Sequence, residues 1–403
     1  MTSQLTRSDI ARWRLHTMGL VGPGFVSPAD VVATLGAVQA QDHAIALWSV
    51  AQRVPSATVT DVQRLLDDGE LLRTHVLRPT WHYVTPADIG WMLELTAPRI
   101  HVHNGTYYRR HGFDDEVFAR AHDRIRAALS DGAHRTRAAL AEELAAGGID
   151  VTGQALEHLV MHAELEGVIC SGRMRGRQQT YALLEDRAPA RGANQRTSQR
   201  VAELTLRYFT GHGPATVQDF RWWSSLTMRQ IEAGLQQVGD RLYPETVDDR
   251  TYLAAGPPPP GTTSPTDGSV IRLLQSFDEY VVGYRDSRDV IDLSGAEAER
   301  RGTPGLPSAL VIVDGQIAGR WRRAGPGGAG RCRGGPPPAV RRGRSRGVAG
   351  RGRPVRRCAR PQCHADHVDR VTGAADRGSP VRTERRAQVV DQQLGRRDLL
   401  QRP

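Results

Sequence analysis

Through the first 255 residues, apolar positions recur mostly with helical spacing and switch to alternation in a few short stretches. Ile10, Trp13, Leu15 and Leu20 mark one apolar helix face over Thr6–Leu20. Ser27-Pro28-Ala29-Asp30 is a helix start: serine caps, proline opens the first turn, and the aspartate returns to the cap amide. The helix predicted from it runs Ala29–Val38. A further helix over Thr60–Asp68 stops at Gly69, and Leu72–Val84 reads as two short strands hinged at Pro79. Thr85-Pro86-Ala87-Asp88 repeats the cap signature and opens a helix over Ile89–Leu95.

The pattern then recurs. Helices are predicted over Asp114–Leu129, Thr136–Ala146 and Thr152–Glu166, and Gly167 ends the last of them. Val168–Leu183 follows as a hairpin with a basic tip. A third run has helices over Ser198–Thr210, Val217–Ser224 and Thr227–Leu235, then a strand-like stretch Leu242–Leu253. Three helices followed by a hairpin is the order of a winged helix. The expected class is therefore α+β, with three tandem winged-helix units at residues 5–112, 113–190 and 196–256. A Pro/Gly linker at 257–268 leads to a β-rich segment, 268–323, where Ala309–Trp321 reads strand, turn, strand.

Composition changes how the remainder is read. The formal net charge of +10 comes from the last 80 residues, Ala324–Pro403, which hold 19 Arg against 6 Asp and Glu. Residues 1–323 carry a balance of −3, so basicity gives no reason to regard the body as a nucleic-acid binder. The same 80 residues contain 13 Gly and 8 Pro but no Phe, Tyr, Trp, Ile or Met. They are expected to be disordered, as a genuine arginine-rich arm or as the product of a shifted reading frame. Cys363-His364 and His367 are metal-ligand residue types, yet nothing apolar surrounds them to build a supporting shell, and no metal is expected. Cys170 is expected to be a reduced core residue. No apolar run approaches the roughly 20 residues of a spanning helix, and the N-terminus is too polar for a secretory signal. A cytoplasmic protein without membrane contact is expected.

Five stretches carry candidate chemistry. In Val38-Gln39-Ala40-Gln41-Asp42 two glutamines stand two residues apart. On a helix their side chains would diverge by about 200°, whereas extended backbone puts both on one face, able to converge on one water or one base. Arg173, Arg175 and Arg177 alternate along the hairpin tip, either gripping phosphates from one side of an extended arm or forming a solvated loop. Arg78-Pro79-Thr80-Trp81-His82 places His82 where it could meet a phosphate or a leaving group, or act as a satisfied structural histidine. Trp222-Trp223 reads as a core anchor, and Asp278-Glu279 as a structural turn with paired charges. Phosphate loops, dinucleotide fingerprints and Ser/His/Asp spacing are absent, so no nucleotide cofactor is expected.

These pieces together resemble a bacterial winged-helix DNA-binding family that includes the AlkZ-like glycosylases of interstrand crosslinks and alkylpurines. The matching elements are Val38–Asp42, Leu77–His82, Gly213-Pro214-Ala215-Thr216 with Asp219-Phe220 and Trp222-Trp223, and Phe277–Tyr280 with Gly283–Asp286. The likeness spans about residues 5–322 and implies three tandem winged helices followed by a C-terminal β-barrel, here partial. It also implies that Gln39 and Gln41 are the catalytic pair, holding a water for hydrolysis of the N-glycosidic bond of an N7-alkylated purine or a crosslink. Ala40 between them is smaller than the bulky apolar residues found there in some members. The expected DNA contacts are Arg173, Arg175, Arg177, Arg78 and His82, on double-stranded DNA, by a monomer without cofactor. The alternative is a non-enzymatic winged-helix regulator; Thr152–Glu166, with only Gln154, Glu157 and His158 as base readers, is poorly equipped for it.

Overall fold

The computed structural model describes residues 5–188, 196–263, 269–295, 309–322 and 331–334. The first region comprises α1 (Arg7–Thr17), α2 (Pro28–Leu35), β1 (Val38–Gln39), α3 (His43–Ala51), α4 (Val59–Asp68), β2 (Leu72–His75), β3 (Trp81–Val84) and α5 (Ile89–Arg110). The second comprises α6 (Asp115–Leu129), β4 (Arg135–Thr136), α7 (Arg137–Ala146), α8 (Gly153–Leu165), β5 (Ile169–Ser171), β6 (Thr180–Leu183) and α9 (Leu184–Arg187). In the third are α10 (Thr197–His212), α11 (Val217–Ser224), α12 (Met228–Val238), β7 (Tyr243–Val247) and β8 (Arg250–Ala254). The C-terminal strands are β9 (Ile271–Leu274), β10 (Leu310–Val313), β11 (Gln316–Arg322) and β12 (Arg331–Gly334), with α13 (Glu279–Val282) after β9.

Helices and sheets are thus mixed, and three times a set of helices leads into a small antiparallel sheet: β1-β3-β2, β4-β6-β5 and β7-β8. The fourth sheet, in the order β12-β11-β10-β9, is open, and among the described residues no strand closes it into a barrel. Apart from β12, residues 324–403 lie outside the described residues. No helix among the described residues is long and apolar enough to cross a membrane.

Capping chemistry explains where helices begin. Ser27 accepts the Asp30 amide at the start of α2, and Thr216 with Asp219 forms a full capping box on α11. The predicted helix Ala29–Val38 ends three residues early, at Leu35, because Gly36 adopts φ +76° and turns the chain out of the helix. Helix α3 is absent from the pattern reading: His-Ala-Ile-Ala-Leu-Trp-Ser-Val-Ala has no polar face to give it a period. Helix α5 runs through Pro98 to Arg110, far beyond the predicted Leu95, because its apolar face is packed along its length.

Two cores result. One large cluster joins α1–α5, the third region and the β9–β11 strands; a second, around Tyr108, Phe118, Leu159 and Ile169, fills the middle region. The Gly213–Asp219 and Gly283–Asp286 motifs meet inside the large one. Arg14, fully buried, stacks 3.6 Å from the centroid of Tyr284 and donates to the Pro214 carbonyl at 2.9 Å. Asp219 accepts the backbone amides of Arg285, Asp286 and Ser287 at 2.9, 2.7 and 3.1 Å. These motif residues are structural joints.

Candidate active site

Leaving the helix at Gly36 puts the chain in extended form before it reaches the glutamines. Strand β1 pairs with β3, Val38 opposite Tyr83 and Gln39 opposite His82, and the Ala40 amide donates to the Trp81 carbonyl at 2.6 Å. Both glutamine side chains are then tied to the turn between β2 and β3. Arg78 donates to Gln39 Oε1 at 3.1 Å, and the Trp81 amide donates to Gln41 Oε1 at 3.2 Å. Gln39 is buried and Gln41 exposed, so the pair lies across the boundary between core and solvent. Each amide oxygen has two lone pairs, and one hydrogen bond leaves the second available.

The turn itself is strained. Leu77 sits at φ +64°, a left-handed conformation that costs a non-glycine residue on the order of 1–3 kcal/mol, and Thr96 Oγ1 accepts its amide at 3.1 Å. The next residue, Arg78, is buried and 5.5 Å from the Trp222 ring. His82 is fully buried, and its Nδ1 donates to the Thr80 carbonyl at 2.9 Å. Arg78 and His82, expected from sequence to face DNA, are thus placed in the interior behind Gln39.

Two further residues complete the site, and sequence reasoning missed both. Glu279, fully buried at the start of α13, accepts the Gln39 backbone amide at 2.7 Å through Oε1. Its Oε2 accepts from His212 Nε2 and Trp223 Nε1, each at 3.1 Å. Burial pushes the Glu279 carboxyl up, but the His212 hydrogen bond and charge, together with the Arg78 guanidinium, outweigh it and hold the group at about 2. Arg73 lies 3.4 Å over the Trp81 ring, donates to the Ala40 carbonyl at 3.0 Å and reaches the Gln41 carbonyl at 3.4 Å. Desolvation lowers its pKa to about 10, which leaves it charged at neutral pH. The one hint at Glu279 was its place in Phe277–Tyr280, among the elements that carry the family resemblance.

A family model matches residues 32–360, under the description "DNA glycosylase AlkZ-like". The chain belongs to the AlkZ-like DNA glycosylase family. It is 27% identical over 328 residues to an interstrand DNA cross-link repair glycosylase of Streptomyces sahachiroi, covering 78% of this chain and 86% of the relative. The solved structure of Streptomyces sahachiroi DNA glycosylase AlkZ has the same fold, with a TM-score of 0.66 at 24% identity over 79% of this chain and 88% of that one.

In this AlkZ-like chain the arginine hairpin is joined to the glutamine strand. Ser171 Oγ accepts the Arg73 amide at 2.8 Å, and the Arg73 guanidinium also bonds Gln179 Oε1 on the far arm. The arm is not extended throughout: Arg175 and Gln178 pair across a tight turn in which Gly176 takes φ +61°, so Arg177 sits at the tip. All three arginines are exposed, with Arg173 3.4 Å from Asp68. Trp223 is the core anchor expected, while half-buried Trp222 lies between the guanidiniums of Arg78 and Arg285.

The buried histidine sets a pH dependence. Burial, and then the Arg78 charge, lower the His82 pKa from 6.5 to about 3, so the folded protein keeps it neutral where the unfolded chain takes up a proton. Its contribution to stability is complete above pH 6.5 and is lost as pH falls from there towards 3. Between pH 7.5 and 5.5 wild type is expected to lose about 1 kcal/mol more than His82→Asn, read from urea midpoints. Equal losses in the two proteins would remove His82 as the source.

Proposed function

We propose that the protein is a DNA glycosylase that hydrolyses the N-glycosidic bond of N7-alkylated purines or interstrand crosslinks, using a water held by Gln39 and Gln41. The observation that carries this reading is the placement of the two amide oxygens on one turn, bonded to the Arg78 guanidinium and the Trp81 amide. Neutral amides suit this substrate. An N7-alkylated purine is already cationic, so it leaves without protonation, and the electron pair of the broken C1′–N9 bond neutralises it. The water oxygen bonds C1′ of the oxocarbenium-like sugar, and its surplus proton passes to solvent. Glutamine carbonyl oxygens orient that water and face the developing positive charge, although an amide is no general base. The chemistry calls for neither metal nor nucleotide.

The names of the relatives point the same way, towards glycosylase action in crosslink repair. We read the three helix-and-hairpin repeats as winged helices laid along double-stranded DNA by a monomer, with Arg173, Arg175 and Arg177 on phosphates. Arg78 acts through Gln39 in this reading, and His82 packs the turn behind it. Incubation with duplex DNA carrying a single N7-methylguanine is expected to release the free base and leave an abasic site cleaved by alkali. DNA binding without an abasic product would instead favour a winged-helix regulator.

A further inference from the structure

A second group of chemically capable side chains stands beside the second core, on α5 and α8. His101 comes from α5, His162 from α8, and Glu166 caps the C-terminus of α8. One nitrogen or carboxylate oxygen from each lies within 4.8 Å of the other two. His101 Nε2 is 2.9 Å from a Glu166 oxygen, so the imidazole and the carboxylate are already in contact. The remaining ring nitrogens are occupied: His101 Nδ1 is 3.1 Å from the Tyr108 hydroxyl, and His162 Nδ1 is 3.2 Å from His122 Nε2. When His162 Nδ1 carries the proton of that contact, His162 Nε2 is left as a lone pair. Outer hydrogen bonds of this kind fix the tautomer and direction of metal-bound imidazoles.

We propose that His101, His162 and Glu166 bind a divalent transition metal, zinc above all, with water in the fourth position. Two imidazoles and a carboxylate are a zinc donor set, with metal–ligand bonds of about 2.0–2.2 Å and hence ligand–ligand edges of about 3.3 Å. The group is wider than that at its longest edge. Glu166, whose side chain is 48% exposed, is the ligand with most room to adjust, while the His162 ring is held by stacking 3.6 Å from Phe118. The metal would staple α5 to the end of α8, directly before the chain enters β5 and the arginine hairpin. Its role would be to stiffen the root of that hairpin, apart from the hydrolytic step.

The test uses the full chain, stripped with chelator and titrated with zinc by calorimetry and with cobalt(II) by visible absorption. One equivalent of zinc is expected, with intense tetrahedral cobalt bands and a raised unfolding temperature. His101→Gln and Glu166→Gln, both at partly exposed positions, are expected to fold as wild type by circular dichroism. Each is expected to lose at least the roughly tenfold in affinity that even an outer partner contributes. The absence of saturable one-to-one binding overturns the proposal. So does binding that survives both substitutions, including binding lost only in Cys363→Ser, which would locate the metal in the C-terminal segment.

Discussion

Glu279→Ala is expected to lower the free energy of unfolding by about 3–5 kcal/mol, the scale of breaking a buried charge network by removing one partner. Three donors converge on this one carboxylate: the Gln39 amide, His212 Nε2 and Trp223 Nε1. All lose their acceptor in the interior, where an unmade hydrogen bond costs its full desolvation penalty. The Arg78 charge loses its counter-charge at the same moment. Glu279→Gln is a poor substitute, because an amide offers one oxygen where three donors need two, and its NH2 group opposes the third. Urea unfolding of the three proteins checks this. A loss under about 1 kcal/mol in the alanine variant would mean that water satisfies those donors and that Glu279 does not fix Gln39.

Neutralising the hairpin has the second large effect, on binding. With Arg173, Arg175 and Arg177 all changed to Gln, the slope of log affinity against log salt for duplex DNA is expected to fall by about 3, one unit per phosphate contact. At 0.1 M salt this corresponds to about a hundredfold weaker binding or more. Arg173 contributes least, since Asp68 lies 3.4 Å from it. Fluorescence anisotropy across a salt series gives both quantities. An unchanged slope would make the hairpin a solvated loop.

Local chemistry was legible in the sequence where it acts over a few residues. The Ser27-Pro28-Ala29-Asp30 cap, the hinge at Pro79 and the hairpin after Gly167 all appear where the pattern puts them. The extended backbone at Gln39 was also foreseeable, as the condition under which the two glutamines could act together. Its cause, the positive φ of Gly36, was missed, because the apolar run continues through Ala37-Val38 and hid the stop that a glycine after a helix supplies. Long-range partners were illegible. Asp278 and Glu279 look like one paired-charge turn, yet they serve different networks. Asp278 holds buried Arg53 at 2.8 and 3.0 Å and accepts from Ser49 at 2.6 Å, while Glu279 supports Gln39 from 240 positions away. Arg78 and His82 were expected to touch DNA, with a structural role for His82 as the alternative; Arg78 is instead buried near the Glu279 charge, and His82 is kept neutral by burial with its Nδ1 on the Thr80 carbonyl.

The central claim is that Gln39 and Gln41 hold the attacking water. Its most direct test is the single-turnover rate of N7-methylguanine release by wild type and by Gln39→Ala/Gln41→Ala, with the DNA-bound fraction measured on the same samples. Loss of positioning and of transition-state electrostatics together predicts a fall of at least about 10²–10³-fold with DNA binding retained. A double variant that binds DNA and releases the base as fast as wild type would contradict the account.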